Sequence, residues 1–232
     1  MAMELTWLGQ GGFLIRCGGS VICLDPYLSY SCEESGGHTR IAPPPLDPAS
    51  IDADLFVFSH DHMDHLDEGT LRRIDLADNL FAGPASCRSH LLRLGVDAEN
   101  LLAFDRGDKL CVGDAELYAV HAEHTEDSIG LVVRGGGCTV YFTADTLYSP
   151  LLAESARPFA PDAIVACVNG RWGNMGHEEA ARVARELNVR LSIPTHYGMF
   201  QENTADPMDF VRAMDGQPTR LLTMYEPVQL SF

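Results

Sequence analysis

Leu55-Phe56-Val57-Phe58-Ser59-His60-Asp61-His62-Met63-Asp64-His65 is the stretch that decides the fold. Its first four residues are aromatic, β-branched or aliphatic and carry no charge, which is the pattern of a buried strand. The residues that follow bring three imidazoles and two carboxylates. Nitrogen and oxygen donors at alternating positions converge well on a divalent cation, so the end of this strand is a candidate metal loop. The bland alternative is a polar loop whose histidines face water, and the intact His-x-His-x-Asp-His spacing argues against it.

Working outward, short strands are expected at residues 4–8, 12–17 and 20–25. A Ser/Gly/Pro-rich segment from Ser29 to Ala49 has no apolar periodicity and reads as loop, either a binding element or a surface connection, with His38 unassigned. Past the metal loop, helices are expected over Glu68 to Ile74 and over Ala85 to Leu94, the second stopped by Gly95. Strands follow at Glu116 to Val120, Ile129 to Val133, Thr139 to Thr143 and Ala163 to Val168. From His177 to Leu187, Ala180, Val183, Ala184 and Leu187 fall at i, i+3, i+4 and i+7, one helix face packing on a sheet. Strands followed by helix, twice over, predict an αββα sandwich.

The 232 residues suit one domain, 1–232, with a single large core. The opening Met1-Ala2-Met3-Glu4-Leu5-Thr6-Trp7 has no basic leader, and no stretch approaches the ~20 apolar residues that span a bilayer, so a membrane role and export are not expected. Seven cysteines, an odd count without any Cys-x-x-Cys pair, read as reduced packed thiols of a cytoplasmic protein. Lys plus Arg total 16 against 33 Asp plus Glu, a formal charge of -17, which repels nucleic acid. A bound metal would neutralise several of these carboxylates, so a small anionic substrate stays open.

His60, His62, Asp64 and His65 match the motif of metallo-β-lactamase-fold hydrolases, and the chain resembles that family over nearly its whole length. Leu8-Gly9-Gln10-Gly11-Gly12-Phe13 and Leu24-Asp25-Pro26-Tyr27-Leu28 look like the family's first hairpin. Phe142-Thr143-Ala144-Asp145-Thr146 and Pro194-Thr195-His196-Tyr197-Gly198 each look like a strand followed by one ligand-type residue. Within the superfamily, Leu46-Asp47-Pro48 and the Asn169-Gly170-Arg171 turn resemble the L-ascorbate 6-phosphate lactonase-like group.

The resemblance implies an α/β fold, a four-layer αββα sandwich, and two divalent metal ions, zinc or manganese. The first ion would take His60, His62 and one of His121 or His124. The Ala122-Glu123-His124 segment favours His124, with His121 as the alternative, and classical members of the lactonase group can lack this histidine. Asp145 would bridge the ions, since each carboxylate oxygen can bind one cation, and Asp64, His65 and His196 would hold the second. Asp25 would orient a ligand histidine, or instead cap the turn at Pro26.

Oxygen-reducing diiron relatives usually carry Glu where this chain has His62, so hydrolysis is expected over redox chemistry. Two cations ~3.5–4 Å apart would share a water, lower its pKa and present a bridging hydroxide, aimed by Asp64. Arg171 in the Asn169–Asn174 turn either clamps an anion bidentately or is a surface arginine, and Asn169 and Tyr197 are further candidate substrate contacts. The leading expectation is a hydrolase of a small sugar-acid lactone or related ester, with a phosphodiesterase and a non-catalytic metal-binding protein as alternatives. A homo-oligomer stays open, since the fuller lactonases carry extra segments that shape substrate and subunit contacts and this chain is shorter.

Overall fold

The structure is a computed structural model that describes residues 2–44 and 46–232; Met1, and Pro45 within the expected 29–49 loop, lie outside the described residues. The first half of the chain supplies strands β1 (Met3–Gly9), β2 (Gly12–Cys17), β3 (Ser20–Leu24), β4 (Leu55–Val57), β5 (Phe81–Gly83) and β6 (Leu101–Ala103). Helices α1 (Ser31–Glu34), α2 (Glu68–Leu71) and α3 (Ala85–Leu94) are interspersed. The second half supplies β7 (Lys109–Val112), β8 (Ala115–His121), β9 (Ile129–Gly135), β10 (Cys138–Phe142), β11 (Ala163–Cys167) and β12 (Leu191–Thr195). With them come α4 (Pro150–Ala156), α5 (His177–Leu187) and α6 (Pro207–Ala213), and the final strand β13 (Pro227–Leu230) returns to pair with β1.

Two sheets result, ordered β13-β1-β2-β3-β4-β5-β6 and β12-β11-β10-β9-β8-β7. Hairpins make the β1–β2–β3 and β8–β9–β10 runs antiparallel, whereas β3 to β6 and β10 to β12 are parallel and joined through helices or long connections. Apolar side chains from the facing surfaces fill the space between the sheets, among them Leu5, Trp7, Phe13 and Val57 from one and Leu117, Leu131, Val140 and Val165 from the other. Phe13 meets Phe142 edge-on across this layer, with ring centroids 5.3 Å apart.

The outer faces are closed by helices. Cys87 and Leu91 of α3 pack on Phe56 and Phe81, while Leu152, Val183, Ala184 and Phe210 from α4, α5 and α6 pack on Tyr141, Ile164 and Ala166. The molecule is therefore the αββα sandwich of the metallo-β-lactamase fold. Helix α5 spans the residues that its apolar spacing predicts. Glu179 accepts from the Gly176 amide at 3.0 Å at its start, and Asn188 ends it in the left-handed region at φ 52°. Helix α3 stops at Gly95, φ 96°, as its sequence indicates.

Three expectations need correction. The helix expected over Glu68 to Ile74 ends at Leu71, because Arg73 and Ile74 donate to Thr70 and Leu71, three residues back, and the chain tightens into a turn. The segment 29–49 is not wholly loop, since it contains α1, and its end enters a 3-10 turn at Pro48–Ser50. It docks through Ile41, whose amide donates to the Met199 carbonyl at 2.9 Å. Buried Arg40 is pinned there by the Tyr27 and Ser29 carbonyls at 3.2 and 2.8 Å. Strands β5, β6, β7 and β13 were not foreseen, being only three or four residues long. No helix among the described residues is long and apolar enough to cross a membrane.

Candidate metal centre

The pairing directions place the chemistry. In the first sheet β1, β3 and β4 run the same way, and in the second so do β8, β10, β11 and β12. The segments leaving these strands carry Gln10, Asp25, His60 to His65, His124, Asp145, Asn169 to Asn174 and His196. Packing the sheets face to face brings the two sets of loops together at one edge of the sandwich. Several residues just past the strands adopt the left-handed region, Asp25 at φ 42°, Ala144 at 54° and His196 at 63°, so the chain turns sharply where each strand ends.

Three groups of donor atoms form there, each with members within 4.8 Å of one another: His60, His62 and His124; Asp64, His65 and His196; and His60, His65 and Asp145. Asp145 lies between the first two groups. Its Oδ1 is 3.2 Å from His65 Nε2 and in contact with His196 Nε2, and its Oδ2 is 3.8 Å from His124 Nε2. The structure thus brings together His60, His62, Asp64, His65, His124, Asp145 and His196. His121 stays apart, its Nε2 3.6 Å from the Glu123 carboxylate and lining a different depression with Arg106 and Phe159.

Hydrogen bonds around the cluster fix which imidazole nitrogens face inward. Asp25 accepts from His65 Nδ1 at 2.8 Å, from the Ser59 amide at 2.8 Å and from Ser59 Oγ at 2.5 Å. With its one proton given to Asp25, Ser59 Oγ can only accept from His60 Nδ1, 3.0 Å away. The Gly173 carbonyl likewise accepts from His124 Nδ1 at 3.0 Å. His60 and His124 therefore turn Nε2 lone pairs inward, His65 turns its Nε2 to Asp145 Oδ1 at 3.2 Å, and His62 Nδ1 faces His124 Nε2 at 3.0 Å.

Such an arrangement is costly alone. His60 Nε2 is buried with no hydrogen-bond partner, as is Asp145 Oδ1 by hydrogen-bond geometry. Burial, reinforced by neighbouring His65, holds the His60 pKa well below the ordinary histidine range. At His65 burial works the same way, but the Asp145, Asp25 and Asp64 carboxylates outweigh it and raise its pKa well above that range. Asp145 is buried too, yet His196 and His65 keep it ionised, well below the usual carboxylate range. Orphaned lone pairs, buried anions and an N/O donor set fit divalent cations, which would satisfy all of them at once.

The sequence reading missed several supports. Gln10 Nε2 donates to Asp64 Oδ2 at 2.9 Å, and Asn174 Nδ2 donates to Asp145 Oδ2 at 2.8 Å. Gln10 sits at φ 48° in the Gly9-Gln10-Gly11-Gly12 turn, and a polar residue amid glycines at a strand end was the available signal. The Asp25 carboxylate accepts from Ser59 and His65, the placement expected of an orienting residue, and makes no hydrogen bond within its own turn among the described residues.

A cleft of about 270 Å³ opens on the cluster, lined by Cys32, His38, His62, Asp64, Trp172 and Asn203 among others. Arg171, Asn169 and Tyr197 do not appear in that lining. Arg171 is exposed and donates to the Glu202 carbonyl at 3.1 Å. Asn169 reaches the cleft only through Asn203, to which it donates at 2.7 Å, and Tyr197 packs on Trp7 with ring centroids 4.9 Å apart.

Residues 21–197 match the model of the family described as beta-lactamase superfamily domain. The chain is 26% identical over 226 residues to the UPF0173 metal-dependent hydrolase of Methanopyrus kandleri, with 92% of each chain covered. It is 25% identical over 225 residues to that of Sulfurisphaera tokodaii, covering 95% of this chain and 96% of the relative. Among solved structures, the metallo hydrolase Igni18 of Ignicoccus hospitalis superposes with a TM-score of 0.81 at 20% identity over 100% of both chains. An isothiocyanate hydrolase from Delia radicum gut bacteria does so with a TM-score of 0.82 at 17% identity over 99% of both. At such identities these structures speak to the fold.

Proposed function

The chain belongs to the beta-lactamase superfamily domain family, and from that premise we propose that it is a metal-dependent hydrolase of a small lactone or related carboxylic ester. The observation that carries this reading is the pair of donor groups on either side of Asp145, with bare nitrogens turned inward. His60, His62 and His124 would hold one divalent ion and Asp64, His65 and His196 the other, with Asp145 shared between them. Zinc and manganese both suit this mixed nitrogen and oxygen set. Such ions, when bound, acidify a water towards neutrality and polarise the carbonyl under attack.

The protein's own residues do the positioning. Asp25 and Ser59 hold the rings of His65 and His60, and Asn174 and Gly173 hold Asp145 and His124, so the donors are set before a substrate arrives. Asp64, tied on one side by Gln10, keeps an oxygen for orienting the attacking water. No serine or cysteine nucleophile is called for. The one cysteine in the cleft lining, Cys32, has its thiol pushed up to about 12, by burial first and by Asp64 next, so it stays neutral.

Among the lining residues none is Lys or Arg, and the chain carries a formal charge of -17. Both facts favour a neutral lactone over L-ascorbate 6-phosphate or a phosphodiester. The test is metal analysis of the purified protein together with hydrolysis of γ-butyrolactone, bis(p-nitrophenyl) phosphate and phenethyl isothiocyanate, the last because of the fold neighbour's substrate class. Lactone turnover that disappears with bound metal in His60→Ala is expected. Turnover of the phosphodiester alone would make the protein a phosphodiesterase, and a filled site inert to all three would overturn the lactone inference and send the search to a broad ester panel, whose complete silence would mean a non-catalytic metal-binding protein.

A further inference from the structure

Trp172 is 68% exposed, more than any other large hydrophobic residue described. It sits at φ 56°, a backbone region costly for a bulky side chain, between Gly170 at φ 63° and Gly173 at φ 85°. The turn is held in that shape from within: the Gly170 amide donates to the Met175 carbonyl at 3.0 Å and the Asn174 amide to the Arg171 carbonyl at 3.1 Å. The fold therefore holds a strained turn whose visible result is an indole standing over the cleft.

The ring has company. His38, delivered by the docked 29–49 segment, faces Trp172 with centroids 5.5 Å apart and rests on buried Phe200 at 5.4 Å. The same turn supplies the Gly173 carbonyl to His124 and the Asn174 amide to Asp145. A group seated on the indole is thereby held in fixed register with the metal donors. Cys32 and Asn203 complete this side of the cleft, and no cation lines it. At about 270 Å³ the cleft lies just below the ~300–1,000 Å³ range of drug-sized sites, leaving room for one ring-sized group beside the reacting carbonyl.

We propose that Trp172 and His38 form a recognition wall for a flat apolar ring, so that the substrate is an uncharged lactone or ester carrying a small aromatic or cycloaliphatic substituent. This rests on the hydrolase reading of the same site. Aromatic side chains hold flat apolar groups through dispersion and burial, and the exposed indole face is available for that contact.

The chain has two tryptophans, buried Trp7 and exposed Trp172, so binding can be followed without turnover. The probe is 5-phenyl-2-pyrrolidinone, the lactam counterpart of γ-phenyl-γ-butyrolactone. It should shield wild-type emission from acrylamide quenching and leave Trp172→Phe, which retains only Trp7 emission, unaltered. In kinetics, γ-phenyl-γ-butyrolactone should be preferred over γ-butyrolactone by about tenfold or more in kcat/KM. Trp172→Ala should erase that preference through KM, with metal content unaltered, and Trp172→Phe should keep most of it.

If the lactam shields Trp172 while no lactone is hydrolysed, the wall stands and the lactonase reading fails. If both lactones are hydrolysed equally well and the lactam gives no shielding, the wall is overturned and the hydrolase remains. Shielding that grows with protein concentration in the absence of lactam would assign Trp172 to a contact between copies of the chain, which also overturns the proposal.

Discussion

The floor of the cleft and its wall are built on opposite plans. On the floor most metal-donor residues have a dedicated partner: Asp25 for His65, Ser59 for His60, Asn174 for Asp145, Gln10 for Asp64 and the Gly173 carbonyl for His124. On the wall Trp172 makes no side-chain hydrogen bond among the described residues, stands in solvent, and is positioned by main-chain strain and aromatic contact. The floor is overdetermined, so a small displacement there should disable the chemistry. The wall is a single surface, so a change there should alter which substrate is accepted.

Gly11→Ala tests the floor hardest. A Cβ at Gly11 would lie 2.7 Å from His65 Cε1 and 3.1 Å from His196 Cε1, and both rings are buried. Neither ring can retreat without abandoning its partners, so Ala should displace the pair and cut kcat about 100-fold, the scale of a ~1 Å misplacement. The second ion should be lost from the same sample in metal analysis. Normal kcat with two ions bound would show the floor to be pliable and erase the contrast with the wall.

Next in size is Asp25→Asn. Asp25 occupies a left-handed conformation that Asn also tolerates, so the exchange removes charge and acceptor capacity with little backbone strain. His65 and Ser59 lose part of their anchor, and metal affinity should fall by about 10- to 100-fold, as for other residues that orient a ligand. Chelator competition reads this directly, and an unchanged affinity would mean that packing alone aligns His65.

Loading should also release a proton. In the metal-free protein the Asp145, Asp25 and Asp64 carboxylates overcome burial and keep His65 protonated above its ordinary range. That charge stabilises the metal-free fold fully below the unfolded-state value near 6.5, and the stabilisation is lost as pH rises through the higher folded-state value. A cation needs the Nε2 lone pair, so one proton must leave and apparent affinity should climb with pH until that folded-state value is passed. Calorimetry in buffers of different ionisation enthalpy counts the protons, and a pH-independent affinity with none released would contradict the charge balance of the floor.

Much of the floor was readable because its donors are spelled locally: His60 to His65 fall in one loop, and Asp145 and His196 each follow a strand. The long elements were readable for the same reason, since α3 and α5 carry their own periodicity and stop signals. The Ala122-Glu123-His124 resemblance favours His124 over His121, and the structure adds a physical reason: His121 is the last residue of β8, whereas the chain beyond it brings His124 to the Gly173 carbonyl. The partners of Asn174 and Gln10 lie 29 and 54 residues away, so the contacts could not be read locally, even where the glycines around Gln10 mark its turn. The wall was the least legible part, because it joins His38 from one half of the chain to Trp172 from the other. Arg171, the residue whose charge invites attention in the sequence, points to the Glu202 carbonyl instead.

Arg171 yields the smallest predicted effect and the sharpest comparison. Arg171 adjoins Trp172 in sequence, so both belong to the same turn, but one is a charge and the other a ring. Arg171 is solvent-exposed, and its hydrogen bond to a rim carbonyl is of the kind whose loss typically changes stability by no more than ~0.5 kcal/mol. Arg171 does not line the cleft, so Arg171→Ala should leave KM for a neutral lactone within about twofold, whereas Trp172→Ala raises it for a phenyl-bearing one. Michaelis constants for γ-butyrolactone and for a carboxylate-bearing lactone, taken side by side in Arg171→Ala, decide the matter. A selective rise of tenfold for the carboxylate-bearing lactone would mean that the turn recognises charge, and the uncharged substrate class would have to be given up.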